Sequence, residues 1–339
     1  MSPTWVGRCR APSRQRGQVL PLFVLALMVL RGMAAMVIDV GHWYLLRRQA
    51  QNDADAIALA AAAVLPESEV KAAARAKTYH EANAIGMQYT VAVISTKAYH
   101  DTVEARVTTK APGTFSRLFW LDAVDVGATA RARIGTYTSW SMRMLPWAID
   151  ESSFVWNTDL TIKVRPAGQV SPGNFGAVDL VYDDPKKGCQ PASGADDYRD
   201  LITEDVSACG HEVGDMIEQE PGNMAMTGKA VADRGAIKPF DPSTILRDNG
   251  NGRYTLTNPD HPNVGVIPII DHWVNGNSSA VKIVGFAFFI ITSYDKDTVK
   301  GMFVRTTWAG GAECPGIDGG CHVGDYDPNG GISAVQLTE

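Results

Sequence analysis

The run VLPLFVLALMVLRGMAAMVIDV at residues 19–40 decides how the N-terminal part of this chain folds. A membrane-spanning helix needs about 20 mainly apolar residues, and this run is long enough. Its Val, Leu, Ile and Phe residues number twelve. Each favours insertion by roughly 0.3 to 0.6 kcal/mol, whereas the central Arg31 opposes it by about 3 kcal/mol. The sum stays favourable by roughly 1 to 4 kcal/mol, so a transmembrane helix is predicted over residues 17–40.

A secretion signal is the competing interpretation of the same run. It would end at Arg31 and leave the apolar segment Val19 to Leu30 behind a basic head. Cleavage would then place Met33 and Ala35 at positions that require small residues. The chain instead continues as MVIDVGHWYLLRRQAQNDADAIALAAAAVL (36–65), a helical pattern, so we favour an uncleaved anchor.

Charge divides the chain into a basic head and an acidic body. The formal net charge is -6, and residues 1–16 hold four arginines and no acid, which leaves -10 for the remainder. These arginines are Arg8, Arg10, Arg14 and Arg16. Basic residues stay on the cytoplasmic side of a span, so we expect a cytoplasmic head and an extracytoplasmic body. An acidic body also argues against nucleic acid as a partner.

The cysteines follow the same division. Cys9 lies in the head, and four others lie beyond the apolar run: Cys189, Cys209, Cys314 and Cys321. In an exported domain these four allow two disulfides in three connectivities, and the short loops favour Cys189 with Cys209 and Cys314 with Cys321. Four reduced, buried thiols are the alternative. A zinc site is disfavoured because the chain has no CxxC pair.

Three features mark the N-terminal segment: Arg16-Gly17-Gln18 before the span, Asp39-Val40-Gly41 at its outer end, and the motif QNDADA (51–56) leading into an alanine-rich tail. Together they resemble the N-terminal segment of TadG-like (TadE/TadG) proteins of the tight-adherence, or Flp, pilus-assembly systems. A weaker likeness to TadE/TadG ectodomains lies in PGTFSRLFWLDAVDVGATARARI (112–134). The chain departs from the pattern at Arg31, where the family is usually apolar, and carries Leu22 where pilins have a glutamate.

This resemblance implies a non-enzymatic, single-pass component of pilus assembly or surface adhesion in the bacterial cell membrane. Its partners would be membrane lipid and other Tad or pilin-like proteins. The residues assigned to membrane contact or assembly are Arg31, Asp39, Gly41, Gln51, Asp53 and Asp55. A membrane-tethered extracytoplasmic enzyme or ligand-binding domain is the alternative function.

Beyond the span, the pattern predicts an α+β fold in two parts. Residues 41–135 read as a stalk helix and a small α+β, pilin-like domain in the order helix, strand, strand, short helix, strand. The alanine-rich half of the first helix packs either on a partner or on its own domain. Residues 136–339 read as a mostly-β extracytoplasmic domain, irregular to residue 252 except for a helix in ADDYRDLITEDVSAC (195–209). The segment AVKIVGFAFFIITSY (280–294) is expected to be its central, buried strand.

Motifs for catalysis or cofactor binding are missing: there is no P-loop, GxGxxG, GxSxG or HExxH. We therefore predict no catalytic residue, no cofactor and no enzyme activity. Asp325, Asp327 and Asn329 have the alternating spacing of a calcium loop, but the twelfth position is Gln336 rather than glutamate. A hairpin turn into GISAVQL (331–337) is favoured over a calcium site.

Overall fold

The computed structural model describes the chain in these ranges: 19–83, 86–163, 175–184, 186–192, 194–204, 206–220, 227–249, 252–274, 280–296, 298–308 and 321–338. It confirms the α+β class, with a long N-terminal helix followed by a mostly-β region. The predicted order of the first part is also confirmed. Its elements are α1 (Val19–Ala62), α2 (Glu69–Asn83), β1 (Gln88–Ile94), β2 (Thr102–Pro112), a 3₁₀ turn (Ser116–Phe119) and β3 (Ala123–Thr136).

The described residues of the second part form strands, two further α-helices and two short 3₁₀ turns, Glu151–Ser153 and Pro242–Thr244. The strands that precede residue 220 are β4 (Ser139–Trp140), β5 (Trp147–Asp150), β6 (Asp159–Lys163), β7 (Phe175–Asp179), β8 (Val181–Asp184), β9 (Gly188–Pro191), β10 (His211–Glu212) and β11 (Met216–Gln219). Those that follow are β12 (Leu246–Asp248), β13 (Tyr254–Leu256), β14 (Val264–Ile270), β15 (Ala280–Tyr294), β16 (Thr298–Val304), β17 (Thr307–Trp308) and β18 (Ser333–Thr338). The helices are α3 (Gly194–Thr203) and α4 (Thr227–Asp233).

The C-terminal half of α1 packs on its own domain. Ala50, Ala54, Ile57, Ala58 and Ala61 are fully buried and recur at helical spacing. They contact inward-facing residues of the first sheet, which are Val103, Ala105, Val107, Ala130, Ala132 and Ile134. Small side chains on both elements allow the helix to approach the sheet closely. Of the two placements open from sequence, the intramolecular one is therefore present.

The sheet beneath α1 has the strand order β1-β2-β3-β18-β17. Strands β1, β2 and β3 form an antiparallel meander, and β18 adds antiparallel to β3 with Val335 opposite Ile134. The final strand of the described chain thus completes the first domain's sheet. The predicted boundary between residues 135 and 136 runs through this continuous sheet.

The second sheet has the order β11-β7-β5-β14-β15-β16-β6, and β11 also pairs with β15. Strand β15 lies between β14 and β16, and most of its residues are buried. The expectation of a central, buried strand is confirmed. One face of the sheet packs around Trp140, Phe286 and Phe288, and the other around Trp147 and Phe289 together with α3 and α4. Burial on both faces explains why β15 reads as a nearly continuous apolar run.

Two expectations from sequence are wrong in detail. Residues 136–252 are not mainly irregular, because β5, β7 and β11 of this segment belong to the seven-stranded sheet. They were missed because each spans only four or five residues and pairs with distant strands. The segment before β18 is not half of a hairpin either, since β18 runs parallel to β17 and antiparallel to β3.

Candidate membrane-proximal site

The N-terminal half of α1 projects as a bare apolar helix. Its most apolar 18-residue window has a mean hydropathy of 2.2 and no buried residue. By length and composition it can cross a membrane. Residues 19–38 would extend about 30 Å at the rise of an α-helix, which equals the thickness of a typical hydrocarbon core. Arg31 is exposed on this half, about 12 Å along the axis before Asp39.

Asp39 lies where the apolar run ends, and it joins α1 to the loop between β2 and β3. Its carboxylate accepts hydrogen bonds from the backbone N–H groups of Thr114, Phe115 and Ser116 at 3.1, 2.9 and 2.6 Å. These groups open the 3₁₀ turn between β2 and β3, whose first N–H groups have no partner within the turn. One turn further along, Trp43 Nε1 donates to the carbonyl of Pro112 at 3.3 Å. Asp39 and Trp43 therefore hold the β2–β3 connection against the C-terminal end of the run.

Asp53 forms a second link, between α1 and α2. Its Oδ2 lies 2.7 Å from Nδ1 of His80, and both side chains are buried. The other ring nitrogen, Nε2, lies 3.1 Å from the carbonyl oxygen of Met87, which can only accept, so Nε2 carries a hydrogen. Within the described residues, Asp53 Oδ1 is buried without a hydrogen-bond partner. This pair ties both helices to the start of β1.

The remaining residues of the QNDADA motif stay on the surface. Gln51 Nε2 donates to Asp55 Oδ1 at 2.7 Å, one turn apart on α1. Both line a shallow cleft with Thr129, Arg131 and Leu337 of the first sheet. A Cβ added at Gly41 would meet no atom within 4 Å, so packing within the described residues does not require glycine there. The six assigned residues thus lie along one helix but do not converge on one site.

Glu67 forms a third link that the sequence did not indicate. It follows α1 directly and accepts from buried Arg253 at 2.7 Å and from the hydroxyl of Tyr326 at 3.0 Å. Arg305 lies 3.4 Å away and also donates to Tyr326. Arg253 further donates to Ser333 on β18 at 3.0 Å. Arg253 lies 186 positions after Glu67 in the sequence. No local sequence pattern could therefore have indicated this pair.

The predicted disulfide between Cys189 and Cys209 is present. It joins the strand before α3 to the loop after it and so closes both ends of that helix. Cys321 is also disulfide-bonded, while its predicted partner Cys314 lies outside the described residues.

The weak calcium candidates engage protein groups. Asp325 pairs with Arg133 at 3.0 Å, and Asp327 Oδ1 accepts from the backbone N–H of Asn329 at 2.8 Å. The backbone N–H of Asp327 donates to Thr136 on β3 at 2.9 Å. Within the described ranges, no group of three or more His, Cys, Asp or Glu side chains is placed to hold a metal ion.

Acidic side chains gather at the edge where β7 meets β11. Asp179 is opposite Glu218 in the strand pairing, and Glu220 hydrogen-bonds to its carboxyl group. Burial, together with Glu220, raises the pKa of Asp179 from 3.8 to about 8. Asp179 therefore keeps its proton at neutral pH, which lets it share a hydrogen bond with a second carboxylate.

Comparison with known proteins agrees with this N-terminal geometry. Residues 17–64 match the model of the family described as putative Flp pilus-assembly TadE/G-like. The match covers the bare half of α1 and its buried alanine-rich half, and it ends just before Glu67. No curated protein and no solved structure matches the chain.

Proposed function

We propose that this protein, whose residues 17–64 are a TadE/G-like segment, is a non-enzymatic, membrane-anchored component of pilus assembly or surface adhesion. The observation that carries the proposal is the continuity of α1. One helix of 44 residues runs without a break from the bare apolar half into the half that forms the core of the first domain. An anchor continuous with a domain core holds that domain at a set height above the membrane.

The mechanism we propose is positional. The link at Asp39 attaches the ectodomain to the middle of α1, where the apolar run ends, and the link at Asp53 attaches it within the buried half. The link at Glu67 lies just beyond the C-terminal end of α1. From Asp39 to Ala62 the helix rises about 35 Å. A partner that binds the apolar half of α1 therefore also fixes the position of the ectodomain residues farthest from the membrane. The partners proposed are lipid and other pilus-assembly or pilin-like proteins.

The orientation we propose places the N-terminus in the cytoplasm. The four arginines before the span and the disulfide of the ectodomain support it, because disulfides persist in oxidising compartments. A membrane-impermeant maleimide tests it on intact cells. Cys9 should react only after lysis, whereas Lys97→Cys, exposed in the turn after β1, should react without lysis. The reverse pattern would contradict the orientation.

Partner capture tests the assembly role. We expect the full chain, purified from detergent-solubilised membranes of its own cells, to bring down other Tad pilus proteins. Recovery of none would refute the pilus role and favour the tethered enzyme or binding domain.

Arg31 offers a sharper version of the same test. We hypothesise that it meets a carboxylate in a neighbouring helix, because an unpaired guanidinium in the bilayer is costly. Arg31→Leu should then reduce capture of helical partners, and Val29→Leu, a change between apolar residues in the same span, should not. Equal capture by both variants would exclude the carboxylate partner.

A further inference from the structure

The connection between β2 and β3, residues 113–122, is a closed and ordered loop. The backbone N–H of Gly113 donates to the carbonyl of Asp122 at 2.8 Å, and that of Leu121 donates to Ser116 at 3.1 Å. Trp120 has a φ of 63°, in the left-handed region that bulky residues rarely adopt. Its N–H donates to the carbonyl of Arg117 at 3.0 Å, which helps to hold this conformation. The loop therefore presents Trp120 in a defined position.

Three apolar side chains of this loop are exposed. Trp120 is 92% exposed, Phe115 is 45% exposed and Leu121 is 44% exposed. Trp120 is more exposed than any other large apolar side chain of the described residues. The charges of Arg117 and Asp122 lie 3.9 Å apart and offset each other. An exposed, neutral aromatic surface held in a costly conformation is typical of a contact site.

The loop lies at the outer end of the apolar run. Asp39, which directly follows residues 19–38, holds three of its N–H groups, and Trp43 holds Pro112 at its base. If residues 19–38 fill the hydrocarbon core, these contacts fix the loop at the boundary between lipid tails and headgroups. Tryptophan is enriched at this depth because its ring is apolar and its N–H prefers water.

We propose that residues 113–122 insert into the outer interface of the bilayer as a second membrane contact, with Trp120 as the anchor and phospholipid as the ligand. The proposal rests on the membrane anchoring by α1 proposed above. Two contacts joined by Asp39 limit the tilt of the ectodomain, which a single helix would leave free. Because Arg117 and Asp122 offset each other, insertion does not depend on anionic headgroups.

The same sheet supplies a matched control. Tyr99 is an aromatic residue that is 75% exposed in the turn between β1 and β2, at the opposite end of β2. Strand β2 runs from Thr102 to Pro112, about 34 Å at the rise of an extended strand. Tyr99 should therefore lie far from the membrane.

Spin labels on the full chain in phosphatidylcholine liposomes test the proposal. In a Cys9→Ser background, labels are attached to Leu121→Cys and, separately, to Tyr99→Cys. Trp120 stays in place in both variants. We expect the label at 121 to lose most of its collisions with a water-soluble nickel chelate and to gain collisions with oxygen, while the label at 99 stays accessible to the chelate.

Flotation of the same liposomes separates the two claims. If the chain does not float with lipid, the anchoring proposal fails. If it floats and the two labels are equally accessible to the chelate, anchoring holds and the loop insertion is refuted. Adding phosphatidylglycerol, an anionic lipid, should leave the accessibility of the label at 121 to the chelate unchanged. If the label is shielded from the chelate only when this lipid is present, insertion depends on anionic headgroups and this part of the proposal is refuted.

Discussion

Replacing Arg253 by methionine tests whether the Glu67 link holds the β-rich part of the chain beside the C-terminal end of α1. The Arg253 side chain is 1% exposed and donates to Glu67 at 3.1 and 2.7 Å. It also donates to Tyr326 at 2.9 Å and to Ser333 at 3.0 Å. Methionine keeps most of the aliphatic volume, so the change removes hydrogen bonds and charge rather than opening a large cavity.

The expected loss of stability depends on which partners the Glu67 carboxylate keeps after Arg253 is replaced. Breaking a buried ion pair costs about 3 to 5 kcal/mol when the remaining charge is stranded. Glu67 is 21% exposed and keeps Tyr326 at 3.0 Å and Arg305 at 3.4 Å. We therefore expect Arg253→Met to lower the free energy of unfolding by about 2 to 3 kcal/mol. This value lies between the cost of losing one hydrogen bond to a charged group, about 1.5 to 3 kcal/mol, and the cost of breaking a buried ion pair. Glu67→Gln should cost a similar amount, about 2 to 3 kcal/mol, because it removes the carboxylate charge beside buried Arg253, whereas Tyr326 and Ser333 still accept from the guanidinium.

A double-mutant cycle measures the link directly. Guanidinium unfolding of the full chain in detergent, followed by near-UV circular dichroism, gives the midpoint and slope for each variant. The double variant of Glu67→Gln and Arg253→Met should lose less stability than the two single losses added together. Arg247→Met, at an exposed position on β12, is the matched control and should change stability by less than about 0.5 kcal/mol. If Arg253→Met is no more destabilising than this control, the Glu67 link does not hold the β-rich part of the chain beside α1.

Three further predictions concern other contacts. Asp39→Asn should speed amide hydrogen exchange at residues 114–116, because a neutral amide accepts more weakly, and unchanged exchange would show that the loop is held by other groups. In the folded state Asp179 keeps its proton up to about pH 8, whereas in the unfolded state it releases the proton near pH 3.8. Wild-type stability therefore falls as the pH rises from about 4 to about 8. Asp179→Asn removes this titrating group, so the variant should lose less stability over the same pH range. Denaturant midpoints at pH 5 and 8 check the sign, and a wild-type midpoint that rises over this range would contradict it. Ala76→Leu should cost about 1 to 3 kcal/mol by overpacking a fully buried site, whereas Ala74→Leu, exposed on the same helix, should be nearly neutral; equal melting temperatures for the two would contradict the packing of α2.

The sequence alone determined the features that depend on neighbouring residues. The apolar run and the alanine spacing of residues 50–61 predict one long helix, because helical hydrogen bonds and burial repeat within a few positions. The helix and strand order up to Thr136 and the central strand β15 followed in the same way. The disulfide between Cys189 and Cys209 was favoured by a short loop.

Tertiary structure decided the features that join distant positions. Asp39 was assigned from a motif, but its partners at residues 114–116 lie 75 to 77 positions away. Strand β18 joins β3 although Thr136 and Ser333 are far apart in the sequence, and Glu67 meets Arg253 across 186 positions. Strand partners and buried ion pairs carry no local periodicity, so only the packing of whole layers brings them together. Those long-range contacts also set where the sheets lie relative to the end of the apolar run.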